Sequence, residues 1–76
     1  MDNEELIQQL NLIKYRLRMI DLIEEKLLKM RALACLVKEK EMDKEEIDKI
    51  NKEIQRLAKE VNALDEESRV MINTGI

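Results

Sequence analysis

The sequence predicts an all-α protein: an antiparallel helical hairpin, with a long helix over about residues 3–40 and a shorter one over about residues 44–68. The hairpin is expected to self-associate into a four-helix bundle or coiled-coil-like dimer. Three observations lead there. Of the 76 residues, 45% are hydrophobic and 41% charged, a Leu/Ile/Glu/Lys-rich composition typical of long helices and coiled coils. Proline, tryptophan, phenylalanine and histidine are absent and the only glycine is Gly75, which excludes the turn-punctuated pattern of an all-β domain. Apolar residues recur at spacings of three and four along most of the chain. Residues 1–76 read as one domain, with Arg69–Ile76 as a tail into which the second helix could extend and 73–76 as its frayed end.

The first helix starts near residue 3. Asp2 followed three residues later by Glu5 has the form of a capping box, and acidic residues in a first turn suit the helix dipole. An apolar stripe then runs Leu6, Leu10, Ile13, Leu17, Ile20. A second stripe, Ile23, Leu27, Met30, Ala34, Val37, continues it, with one slip of three residues between Ile20 and Ile23. Ile7, Leu12, Met19, Leu22, Leu28, Leu33 and Leu36 lie beside the stripe. The apolar face is therefore wider than a two-stranded seam requires and belongs in a bundle.

Residues 38–46 are polar apart from Met42, and Asp43 followed by Glu46 repeats the helix-start pattern. A tight turn is expected near residues 40–43. The alternative, one uninterrupted helix, keeps heptad phase across this stretch. The second helix carries Ile47, Ile50, Ile54, Leu57, Val61 and Leu64 in error-free alternation. With Ile47 at heptad position a, Glu46, Glu53, Glu60 and Glu67 all fall at g, an acidic column that could meet Lys26, Arg31 or Lys38. The expected hairpin core is Ile23, Leu27, Met30, Ala34, Val37, Ile47, Ile50, Ile54, Leu57, Val61 and Leu64.

A second helix ending near residue 68 reaches back only to about residue 15 of the first. Leu6, Ile7, Leu10 and Ile13 then have no cover within the chain, and Leu12 has little. Leaving such residues wet forgoes about 1.5–3 kcal/mol each, and a large exposed apolar stripe marks an interface. Leu6, Ile7, Leu10, Leu12, Ile13, Tyr15, Leu17 and Ile20 are the expected contact surface. Its occupant is a second copy, in a dimer or a tetramer, or another protein whose groove takes the same helical spacing. Tyr15, the one aromatic residue, suits an anchor with its hydroxyl at a wet rim.

The balance of 14 basic and 17 acidic residues is a net charge of -3. Nucleic-acid binders usually carry a basic excess, so phosphate contact through Lys14, Arg16 and Arg18 is the runner-up reading. The N-terminal segment is acidic, unlike a signal peptide or presequence, and the longest apolar run, Ala32–Val37, is too short to span a membrane. A cytoplasmic chain is expected, with Cys35 a reduced, buried core residue.

Catalytic chemistry is not visible. Without histidine there is no imidazole base and no histidine metal ligand, and one cysteine cannot build a zinc or iron–sulfur site. No Gly-rich phosphate loop occurs. Glu24-Glu25, Glu45-Glu46 and Glu66-Glu67 are sequence neighbours that diverge around a helix, so neither member can share a substrate with the other. No enzyme activity, cofactor or metal is expected. Arg18–Ala34 is similar in pattern to the first helix of the all-helical chorismate mutases, which form intertwined dimers with arginine and lysine in a buried pocket. The likeness spans under a quarter of the chain, and that family's third helix and polar pocket residues have no counterpart in it. The Ser-Gln-Glu-Leu-Asp motif of small helical-hairpin phosphatases is also absent. The expected function is a non-catalytic protein–protein interaction module that regulates, inhibits or scaffolds a partner.

Overall fold

The computed structural model describes the backbone of residues 2–75 and the side chains of residues 2–69. Two helices pack against each other as an antiparallel hairpin: α1 (Asn3–Glu39) and α2 (Lys44–Gly75). The molecule is a rod with principal extents of 61 × 17 × 11 Å.

Both helix starts use the same device. Asp2, in extended conformation, accepts a hydrogen bond at its carboxylate from the Glu5 N–H at 2.8 Å. Asp43 does the same for the Glu46 N–H, also at 2.8 Å. Each carboxylate satisfies an N–H that the first helical turn leaves unpaired, and Glu4, Glu5, Glu45 and Glu46 add favourable charge there. The long helix ends when Lys40 turns extended, its N–H still donating to the Leu36 carbonyl at 3.1 Å. Residues 40–43 then reverse the chain, so the single-helix alternative is not adopted. α2 continues past Ser68 to Gly75, beyond its expected end and through most of the expected tail. The reason is local: Arg69 to Thr74 contains no proline or glycine to stop it. Ile76 lies outside the described residues.

The seam between the helices differs from the expected one on α1. Along α1 the seam row, half-buried or buried throughout and with Leu36 half-buried beside it, is Gln9, Leu12, Arg16, Met19, Ile23, Lys26, Met30, Leu33 and Val37. The row alternates by three and four without a slip, as heptad positions d and a. On α2 the matching row is Ile47, Ile50, Ile54, Leu57, Val61, Leu64 and Ser68, also half-buried or buried. Met19 and Leu57, each 2% exposed, are the apolar side chains most fully withdrawn from water among the described residues.

Leu27 and Ala34, expected in the core, are exposed. Each lies one position beyond a seam residue, Lys26 and Leu33, and is rotated away by about 100°. Met19 takes the central role instead. Its row is harder to read in the sequence because Arg16 and Lys26 interrupt it. Lys26 fits because its long stem can line the seam while its ammonium leaves it to meet Glu60 at 2.8 Å.

Candidate functional site, an uncovered flank of the long helix

Beside the seam, α1 carries a second heptad row at positions e and b: Leu6, Leu10, Ile13, Leu17, Ile20, then Glu24, Leu27, Arg31 and Ala34. Ile7 and Leu28 border it at position f. The apolar members from Leu6 to Leu28 are 44–58% exposed, far more than the seam. Leu6, Ile7, Leu10, Ile13, Leu17 and Ile20, all expected at a contact surface, thus share one continuous flank.

Two expected members of that surface sit elsewhere. Leu12 is a seam residue and half-buried. Tyr15, at position g, lies on the opposite side of the seam, where its hydroxyl donates to Glu67 Oε1 at 3.1 Å. The hydrogen bond to an anionic acceptor holds the phenol above its ordinary pKa of 10.0, with the Glu67 charge adding to the effect. Tyr15 therefore ties α1 to the far part of α2 within one chain.

The cause of the exposure also differs from the expected overhang. The longer α2 reaches back far enough for Leu12 and Gln9 to be half-buried. Yet Leu17, Ile20, Leu27 and Leu28 are exposed although α2 runs alongside them. Orientation leaves this flank bare: one neighbouring helix can cover only one side of a helix that is apolar on two.

The acidic column of α2 contributes two contacts across the hairpin, Glu60 to Lys26 and Glu67 to Tyr15. The hydrogen bond from Lys26 holds the Glu60 carboxyl below the ordinary value, and the Arg56 charge adds to it. Glu53 is likewise held low, chiefly by its hydrogen bond with Arg56 on the next turn. Arg31 and Lys38 do not meet the column. Both occupy position b, on the free flank.

The basic cluster is divided. Lys14 and Arg18 are exposed, but Arg16 is half-buried in the seam, and its Nε has no hydrogen-bond partner among the described residues. Cys35, expected in the core, is exposed at position f, on the side of α1 turned away from the seam. Among the described residues no helix is long and apolar enough to cross a membrane, and no group of three or more histidine, cysteine, aspartate or glutamate side chains is placed to hold a metal ion. No protein-family model matches the chain, and neither does any curated protein or solved structure.

Proposed function

We propose that the chain is a non-catalytic protein–protein interaction module of the cytoplasm, a helical hairpin that pairs with a second copy to form a four-helix bundle and in that state regulates or scaffolds a partner protein. The observation that carries this reading is the free flank of α1, whose Leu6, Leu10, Ile13, Leu17, Ile20 and Leu27 are 44–56% exposed along one face. A contiguous apolar stripe of this extent on a small chain marks a contact surface. Size points to self-association. Two helices meeting along one seam make a thin core, and chains this short usually gain stability from a metal, a disulfide or oligomerisation. A single cysteine and no histidine favour oligomerisation over a disulfide or a histidine-bound metal within this chain.

The runner-up, phosphate contact through Lys14, Arg16 and Arg18, draws less support, because Arg16 is turned into the seam. Sedimentation equilibrium with native mass measurement at micromolar concentration tests the main reading. A dimer or a tetramer agrees with it. A compact monomer that keeps its helical circular dichroism on dilution overturns it.

A further inference from the structure

We infer that two copies meet through α1 in antiparallel orientation and in one register, with Leu17 against the partner's Ile20 and Leu10 against the partner's Leu27. The inference rests on the self-association reading and adds orientation and register to it. It comes from the charges set into and beside the free flank.

Glu24 and Arg31 interrupt the apolar row, while Lys14 and Asp21 stand in the bordering column between Ile7 and Leu28; all four charged residues are exposed. A parallel, in-register pair would place Glu24 and Arg31, both in the contact row, each against its own copy, and would set the Lys14/Asp21 columns of the two helices on opposite sides of the pair. Those are two like-charge oppositions inside the contact row, with the Lys14–Asp21 pairing lost, and such oppositions select against an alignment. An antiparallel pair instead sets row e of one helix against row b of the other. Its permitted registers differ by whole heptads.

In the inferred register the bordering column pairs with its own inverse. Ile7 meets the partner's Leu28, and Lys14 meets the partner's Asp21. Two-fold symmetry makes each of these contacts twice. The exposed apolar residues Ile7, Leu10, Leu17, Ile20, Leu27 and Leu28 all acquire apolar partners. Moving one heptad in one direction sets Lys14 against the partner's Lys14. Moving one heptad in the other sets Asp21 against the partner's Asp21. The remaining contacts place Glu24 beside the partner's Ile13 and Arg31 beside the partner's Leu6. There their aliphatic stems can cover apolar surface while the charged ends reach water. This register also overlaps nearly the whole of α1.

Disulfide trapping separates the alternatives. In a Cys35→Ser background, Lys14→Cys with Asp21→Cys is expected to form a covalent dimer on mild oxidation at low protein concentration. Within one chain the two positions are roughly 10 Å apart along the helix, too far to bridge. Neither single cysteine variant is expected to cross-link. Cross-linking of Lys14→Cys alone or of Asp21→Cys alone would overturn the register in favour of a neighbouring one, and cross-linking of both singles would overturn the claim of one register. A chain that is dimeric by mass but gives no cross-link with the double variant, the result a parallel pair would give, overturns the inferred orientation and register while leaving self-association in place. A chain that is monomeric by mass overturns the self-association reading and the register with it.

A charge swap provides a second measurement that needs no cysteine. Lys14→Asp should weaken self-association on the order of tenfold, since two exposed ion pairs become repulsive. Lys14→Asp combined with Asp21→Lys should restore it. Failure of the combined variant to recover would overturn the Lys14–Asp21 pairing.

Discussion

Replacing Leu10 and Ile13 together by glutamate should separate the subunits. Leu10 is 50% exposed and Ile13 48% in the hairpin, so a partner has about half of each side chain left to bury. Half of the 1.5–3 kcal/mol for complete burial is about 1 kcal/mol per residue, and a symmetric dimer makes each contact twice, roughly 4 kcal/mol in all. That corresponds to about a thousandfold in Kd. The unpaired carboxylates set into an apolar contact weaken it further, and the carboxylate introduced by Ile13→Glu would oppose the partner's Glu24 in the inferred register. Sedimentation equilibrium and a dilution series followed by circular dichroism are the assays. Expected are a halved mass, a lower melting midpoint and loss of its dependence on protein concentration. Neither residue belongs to the seam, so the intrachain contacts themselves are untouched. Asn11→Glu adds a charge at an exposed neighbouring position that points away from the flank and should leave the mass unchanged. An unchanged mass in the double variant, or an equal effect of Asn11→Glu, would refute the assignment of this flank as the contact surface.

Three further perturbations probe other parts of the molecule. Glu24→Leu fills the first gap in the free row and should tighten self-association by about tenfold or more, read as a lower dissociation constant; a weaker dimer would argue against contact at this row. Met19→Ala or Leu57→Ala, at the two most buried apolar positions, should destabilise the hairpin by about 2–5 kcal/mol in denaturant unfolding, whereas Leu28→Ala should change intrachain stability little. Because Lys26 holds the Glu60 carboxyl low, that contact stabilises the fold above the ordinary carboxyl value of 4.5 and is lost as pH falls below it. Lys26→Met keeps the seam filled and removes the ammonium, so it should flatten the acid limb of a melting-midpoint profile; an unaltered limb would show that other carboxylates govern it.

Much of the hairpin was legible in the sequence because its signals are local. Asp2 and Asp43 cap the turns that follow them, and their three-residue spacing to Glu5 and Glu46 is visible without any tertiary information. The row from Ile47 to Leu64 has one apolar side and one polar side, so it could face α1 in only one way. The extension of α2 beyond Ser68 was less visible, since the absence of a breaker permits a longer helix without requiring one.

The long helix shows where local pattern ends. It has two rows able to face α2. The more apolar one contains Leu6, Leu10, Ile13, Leu17 and Ile20. The less conspicuous one contains Leu12, Met19, Ile23 and Met30 with Arg16 and Lys26 among them. The sequence by itself determined that α1 is apolar on more than one side and must be covered on more than one. Only the tertiary structure decided which side α2 takes. The physical reason is that α2 has one apolar face and can cover only one of the two rows; the row it takes sets Lys26 against Glu60. That choice turns Met19 inward and leaves the leucine and isoleucine flank facing water.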